Sequence, residues 1–374
     1  MTNLNDLLPA FKQNNVPVVF TVDAKYVAYF SVALQSVVDY ASTAYNYDII
    51  VLDTDIQDVD KQLLLSQIDG LRNVSLRFYN VSCLLNEYGV DSWWRRQSKM
   101  SVSVYSRLFV PEVFRHYDKV VYLDSDILAR TNIASLYATD LGDNCLAAVL
   151  DYGDAHIAKG EVKNTVPPIT ITEYFRDTLH IRDVSKYFNS GVVVFNVKKM
   201  RADNMLEKFI RTAEINNNVA HDQNILNAAC QDAVLLLDDT WNVQWHVTYW
   251  PHFTSRSERD VKEIIRAAKI LHYNSKKPHR IPEHPLSPHW LVCARKSPYY
   301  ERLIIEGGAF KAKQEFYARQ RKRSFLGRLT LPFEKAYIRL ICGKKKYIEY
   351  KASRERFFQA TQSPSIKKYY KVTQ

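Results

Sequence analysis

The chain has 374 residues, of which 47% are hydrophobic, enough for one large folded domain with an appendage. Five scattered cysteines (Cys83, Cys145, Cys230, Cys293, Cys342) without Cys-x-x-Cys spacing argue for a reducing compartment and against zinc or a disulfide framework. The first fifteen residues show no leader pattern and no apolar run approaches about eighteen residues, so a cytoplasmic, non-spanning protein is expected. The net charge of +11 is uneven: residues 311–374 hold 18 Lys+Arg and 4 Asp+Glu, or +14, which leaves the first 310 residues at −3.

Val16 to Val22 reads as a first strand, followed by the polar turn Asp23-Ala24-Lys25-Tyr26 and a helical pattern through Tyr29, Val32, Ala33, Ser36, Val37 and Tyr40. Tyr47 to Leu52 is a second strand, Lys61 to Ile68 a helix ending near Gly70, and Val74 to Tyr79 a third strand. Residues 101–116 read as mainly helical, interrupted at Pro111. The buried-strand pattern Val120-Val121-Tyr122-Leu123 then ends in Asp124-Ser125-Asp126. Strands alternating with helices predict a mainly parallel sheet with helices on both faces.

Cys145 to Leu150 is a further short strand, ending at Asp151. Residues 152–183, with Pro167-Pro168, read as a long irregular loop of the kind that serves as a lid or acceptor site. Asn189-Ser190-Gly191 leads into the buried strand Val192 to Asn196, where the glycine points to a close backbone approach. Lys198 to Ile215 reads as one helix, and Asn224 to Cys230 as the next, with Asp222 as its N-cap. Leu235 to Leu237, an amphipathic helix from Ser257 to Ala268, and a short strand Ile270-Leu271 ending at His272 follow. Pro278, Pro282, Pro285 and Pro288 mark an extended segment before Trp290 to Cys293 and Tyr299-Tyr300.

In an open α/β sheet, ligands bind beyond the carboxyl ends of the strands. Two carboxylates one residue apart in such a turn repel each other unless a hard cation lies between them. The spacing occurs three times, at Asp53/Asp55, Asp58/Asp60 and Asp124/Asp126, and two of these end apolar runs. Spacing alone leaves the choice open between a metal pair and a solvated turn.

The C-terminal stretch differs in character. Phe333, Tyr337, Leu340 and Ile341 share a helical face between Pro332 and Gly343. Around them lie Arg321-Lys322-Arg323, Lys344-Lys345-Lys346 and Lys367-Lys368, with interleaved aromatics. A basic, aromatic-rich helical tail of this kind suits an anionic lipid surface better than nucleic acid, and a solvated helix pair is the plain alternative.

Five blocks, taken together and in order, resemble glycosyltransferase family 8, the bacterial lipopolysaccharide galactosyl- and glucosyltransferases of GT-A fold. They are Val18 to Tyr26; Ser106-Arg107-Leu108; Val121 to Asp126; Phe188 to Val192 with Asn196; and Asp222-Gln223 with His272 to Pro278. The resemblance covers roughly residues 16–300. It implies a Rossmann-like, mainly parallel α/β sheet flanked by helices, forming a catalytic domain over residues 1–300; residues 301–374 remain the membrane-associating tail expected from their composition. It selects Asp124 and Asp126, with His272, as ligands of Mn²⁺, Mg²⁺ being the other candidate, and leaves Asp53/Asp55 as a turn. By the same likeness Thr21, Asp23, Lys25 and Tyr26 line the uridine site. Arg107, Ser125, Ser190 and Lys277 belong with the donor, and Asn189, Asp222 and Gln223 surround the transferred sugar. The chain departs from the family's His-x-x-Gly-x-x-Lys-Pro-Trp pattern in that Ser275 replaces the glycine, the segment is one residue shorter, and His279 replaces the tryptophan. Lys25 stands where a small polar residue is often found.

The implied reaction is retaining transfer of galactose or glucose from a UDP-sugar to a saccharide or lipid-linked acceptor, at the cytoplasmic face of the inner membrane. A UDP phosphate oxygen takes the acceptor proton and the Gln223 carbonyl stabilises the oxocarbenium-like ring; a covalent intermediate on Asp222 is the rival route. Asp151 is the expected acceptor contact. Two other classes use the same features: a metal-dependent phosphohydrolase or nucleotidyltransferase, and a non-catalytic basic membrane- or RNA-binding protein.

Overall fold

The computed structural model describes residues 6–90, 102–151, 173–215, 222–252 and 256–315. Residues 152–172, which make up most of the predicted loop, and residues 316–374, including the predicted tail helix, lie outside the described residues. The chain divides into two compact units, Met1–Gly307 and Gly308–Gln374. Of the second unit, residues 308–315 are described and are helical.

The first unit is built on a seven-stranded sheet. In chain order its strands are β1 (Asn15–Val22), β2 (Asn46–Asp53), β3 (Val74–Asn80), β4 (Val120–Leu123), β6 (Leu146–Leu150), β7 (Phe188–Phe195) and β8 (Val234–Leu236). Their order across the sheet is β3-β2-β1-β4-β7-β6-β8. The pairs β3/β2, β2/β1, β1/β4 and β6/β8 are parallel, while β7 runs antiparallel to both β4 and β6. A second sheet of three short strands has β10 (Ile270–His272) between β5 (Ile127–Ala129) and β9 (Val243–Gln244).

Strand side chains alternate between two cores, because the side-chain period of a strand is two. Val16, Val18, Phe20 and Val22 of β1 and Val121 and Leu123 of β4 enter one core, whereas Val19, Val120 and Tyr122 enter the other. Full burial of each such side chain stabilises by about 1.5–3 kcal/mol. The helix Val27–Asp39 is buried nearly all round, since the helix Ser287–Ala294 covers its outer side through Trp290, Cys293 and Ala294. Tyr40 lies past its end and is exposed.

Several expectations are corrected. The predicted helix Lys198 to Ile215 is two helices, Val197–Ala202 and Met205–Ile215. Asn204 breaks it at φ 51°, a left-handed conformation that asparagine tolerates better than most residues. Asp222 lies within the helix Asp222–Cys230 rather than capping it from outside, and its carboxylate pairs with Arg107. The strand predicted from Val192 begins at Phe188. The stretch after residue 101 is helical and interrupted near Pro111, as expected: a 3₁₀ helix, Val102–Phe109, gives way to a short α-helix, Val110–Val113, with Pro111 in its first turn. Within the predicted irregular loop, Tyr174–Thr178 form a π-helical turn, and Phe175, Leu179, Ile181 and Tyr187 make a third small core. Strands β5 and β9 were not foreseen.

Candidate functional site

The direction of the strands explains what gathers at the site. The carboxyl ends of β1, β4 and β6 share one edge of the sheet, which brings Thr21, Asp124 and Asp151 there. Because β7 is antiparallel, it is its beginning that reaches this edge. Leu123 pairs with Val192, and the Asp124 N–H donates to the Gly191 carbonyl at 2.8 Å. Asn189, Ser190 and Gly191 therefore join the site from the start of a strand.

The turn Asp124-Ser125-Asp126 carries the chain from the large sheet into β5 of the small one. There β10 pairs antiparallel with β5, and His272 faces Ile127, one residue beyond Asp126. The Tyr273 N–H donates to the Asp126 carbonyl at 3.0 Å and closes this register. Among the described residues, Asp124, Asp126 and His272 form a group of metal-ligand type, their ligand atoms within 4.8 Å of one another. The buried His272 Nε2 lies 3.5 Å from Asp124 Oδ2 and 3.3 Å from Asp126 Oδ1, at ion-pair distance from both. A Cβ on Gly191 would lie 2.2 Å from His272 Cε1 and 2.7 Å from Asp124 Oδ2, so only glycine leaves both ligands in place. Two carboxylates converging on an imidazole nitrogen fit a divalent cation, which would take the place of the proton on that nitrogen.

Charges around the group are compensated. Arg107 donates through Nη2 to Asp124 Oδ1 and pairs through Nε with Asp222 Oδ2, both at 2.8 Å. Its Nη1 donates to the Ser190 carbonyl and hydroxyl at 2.8 and 2.9 Å. Its guanidinium also lies over the Tyr122 ring at 4.5 Å, and the Tyr122 hydroxyl donates to Asp124 Oδ1 at 3.1 Å. All three nitrogens of Arg107 are thus committed within the protein, and it reaches the site through Asp124, Asp222 and Ser190. The Lys277 ammonium pairs with Asp126 and stands 5.2 Å from the Tyr26 ring centroid. Burial alone would raise the Asp124 and Asp126 pKa values, but Arg107 at the first, Lys277 at the second and His272 at both outweigh it and hold both carboxylates ionised. Burial likewise works against a charged His272, and the two carboxylates overcome it, pushing its pKa up to about 9.

Asp23 Oδ1 accepts from the Lys25 and Tyr26 N–H groups at 3.0 and 3.1 Å, tying the turn after β1. Tyr26 is 38% exposed, with its ring beside Lys277, and Lys25 is exposed. Thr21 and Ser125 are buried. The other strand-end pair is occupied: Asp53 pairs with Lys61 at 3.2 Å and Asp55 accepts from the Ala24 N–H at 2.8 Å.

Gln223, at the start of its helix, is held against β7 because Asn227 bonds both the N–H and the carbonyl of Phe188 at 2.8 Å. The Gln223 amide donates to Asp151 Oδ2 at 3.1 Å and accepts from the Ser190 N–H at 3.1 Å and from Asn189 at 3.2 Å. Asp151 is buried and also accepts from Asn189 at 2.9 Å. Tyr122, Tyr187 and Asn242 were missed from sequence. Tyr122 sits in an apolar run, while Tyr187 and Asn242 lie in turns whose partners are distant in the chain, so no local signal marks them.

A mixed sheet of this order, with an acidic turn at its carboxyl edge, is the architecture of the GT-A glycosyltransferases. The sequence profile of Glycosyl transferase family 8 matches residues 17–280, and the chain belongs to that family. A putative glycosyltransferase of Haemophilus influenzae is 24% identical over 60% of this chain and 62% of its own length. The lipopolysaccharide 1,3-galactosyltransferase of Salmonella typhimurium is 25% identical over 53% and 55%. The chain thus spans less than two thirds of these curated relatives. Among solved structures, the bifunctional glycosyltransferase WbbM in its apo form superposes with a TM-score of 0.71 at 27% identity, covering 80% of this chain and 53% of WbbM. The galactosyltransferase LgtC, solved with donor and acceptor sugar analogues, shares the fold at a TM-score of 0.58 and 24% identity, over 76% of this chain and 96% of LgtC. Among the described residues, no helix is long and apolar enough to cross a membrane.

Proposed function

We propose that this glycosyltransferase moves galactose or glucose, with retention, from a UDP-sugar to a saccharide or lipid-linked saccharide acceptor, using Mn²⁺ or Mg²⁺. The observation that carries the reading is the convergence of Asp124, Asp126 and the buried Nε2 of His272, with ligand atoms within 4.8 Å of one another. The name of the Salmonella relative and the sugar analogues bound to LgtC support the substrate class.

Asp124, Asp126 and His272 would hold the cation, which would supply Lewis-acid stabilisation to a departing diphosphate. Tyr26 offers its exposed ring face to the base, and Asp23 holds the turn that positions it. Lys277, already aligned on Asp126, takes the far side of the diphosphate. Arg107 holds Asp124 and Asp222 in fixed relation beside the sugar. Asp151 and Ser190 between them orient the Gln223 amide, and its carbonyl dipole would stabilise the charge developing on the ring. Asp151 acts on the acceptor side through that orientation; an unchanged acceptor KM in Asp151→Asn removes it from this role. Asp222 serves by charge rather than by a covalent bond, and trapping of a glycosyl-enzyme by mass spectrometry would reverse that assignment.

The test is thermal unfolding with UDP, with and without Mn²⁺, on the wild type and on Asp124→Asn/Asp126→Asn. A ligand that binds only the native state raises the midpoint. A Mn²⁺-dependent rise in the wild type alone supports the reading, and release of UDP on incubation with UDP-galactose or UDP-glucose completes it. No rise with any nucleotide sinks it.

A further inference from the structure

Asn242 is fully buried and stands between the two halves of the site. Its Oδ1 lies 3.0 Å from His272 Nδ1, and its Nδ2 lies 2.8 Å from Asn189 Oδ1. The orientation of each group follows from backbone amides that can only donate. The Gly191 N–H points at the Asn189 side chain at 3.0 Å, which fixes the Asn189 carbonyl oxygen at that position. The same oxygen faces Asn242, so Asn242 must present its nitrogen there and its oxygen to His272. Nδ1 of His272 must therefore carry hydrogen, and in the neutral ring the lone pair falls on Nε2, between the two carboxylates. The other end agrees: the Asn189 nitrogen faces Asp151 at 2.9 Å and the Gln223 oxygen at 3.2 Å, and that oxygen is fixed in turn by the Ser190 N–H at 3.1 Å.

We infer that Asn242 is a positioning residue that serves both halves of the reaction. Its carbonyl sets the tautomer of the metal-binding imidazole, and its amide nitrogen holds Asn189, and through it Gln223, in the orientation the sugar meets. This deepens the metal-dependent reading above and rests on it. A side-chain amide suits the position for a chemical reason. It accepts on one side and donates on the other without adding a further carboxylate to a cluster that already holds the buried Asp126, Asp151 and Asp222 and the half-buried Asp124. Asp keeps the acceptor toward His272 but turns an oxygen on Asn189 Oδ1; Leu keeps the approximate shape and loses both bonds.

The experiment titrates Mn²⁺ into the full chain at fixed UDP concentration, reading bound ion from the loss of the free-ion EPR signal relative to UDP alone, beside transfer kinetics and metal-free melting curves. Asn242→Leu is expected to weaken Mn²⁺ binding about ten- to hundredfold, the usual loss when the partner of a metal-bound histidine is removed. Asn242→Asp is expected to bind Mn²⁺ within a few-fold of wild type while its kcat falls about tenfold or more, which separates the two bonds. Wild-type affinity in a folded Asn242→Leu overturns the inference, as does an Asn242→Asp variant as weak for Mn²⁺ as the Leu variant or fully active. If Asn242→Leu does not fold, the affinity and kcat of Asn242→Asp decide alone. A wild type that binds no Mn²⁺ refutes the metal-dependent reading itself, and the inference falls with it.

Discussion

Gly191 and His272 are in such close approach that a methyl group on the first would lie 2.2 Å from Cε1 of the second. The contact arises because β7 begins where β4 ends, with the Gly191 carbonyl bonded to the Asp124 N–H. Gly191→Ala must push His272 or Asp124 aside in a region with no slack. Overpacking of this kind costs about 1–3 kcal/mol. The expected result is a lower Tm together with loss of the Mn²⁺-dependent stabilisation by UDP. Retention of both would mean that the ligands are held less rigidly than the packing implies.

Arg107 bridges Asp124 and Asp222 from full burial. Removing one partner of a buried ion pair typically costs about 3–5 kcal/mol, because the remaining charge is left without compensation. Arg107→Met is expected to destabilise on that scale. Arg107→Lys restores the charge but cannot contact both carboxylates and Ser190 with one fork, so it should recover stability more than turnover. Melting curves and donor-hydrolysis rates of the two variants check this; full turnover in the Lys variant would show that the bridge is not needed.

His279 occupies a buried position between Tyr29 and Trp290, with ring centroids at 5.6 and 5.7 Å. Burial, reinforced by Arg280 and Lys277, pushes its pKa down to about 4 from an ordinary 6.5. The unfolded chain therefore binds a proton between pH 6.5 and about 4 that the folded chain refuses. Stability from this group is present above pH 6.5 and declines as pH falls toward 4. His279→Phe is expected to remove up to one proton from the pH dependence, about 1.4 kcal/mol per pH unit, in that window. Parallel wild-type and variant curves from pH 7 to 4 would contradict it.

The basic balance of residues 311–374 predicts attraction to anionic lipid, at about 1 kcal/mol for each Lys or Arg near the surface. Changing Lys344, Lys345, Lys346, Lys367 and Lys368 to Glu lowers the charge of this stretch from +14 to +4. Sedimentation with phosphatidylglycerol vesicles should then fall, while stabilisation by UDP and Mn²⁺ remains. Unchanged sedimentation would remove the charge of the tail as the cause.

The succession of strands and helices around a buried sheet was legible in the order of the residues, because apolar runs such as Val120 to Leu123 and punctuation such as Gly70 act locally. Boundaries were less so: Asn204 breaks a helix whose apolar pattern continues across it. The acidic turn was visible, but Asp53/Asp55 has the same spacing, and the residues that occupy it, Lys61 and Ala24, are chosen by packing. Resemblance to a family singled out His272; what brings it to Asp126 is the β10–β5 register, a pairing across 145 residues between His272 and Ile127. The reversed course of β7 and the amide chain through Asn242 left no mark in the sequence. Local order settles which elements form, since it depends on neighbours in the chain. The direction in which distant strands pair, and the hydrogen bonds their ends can then share, exist only once the chain has folded.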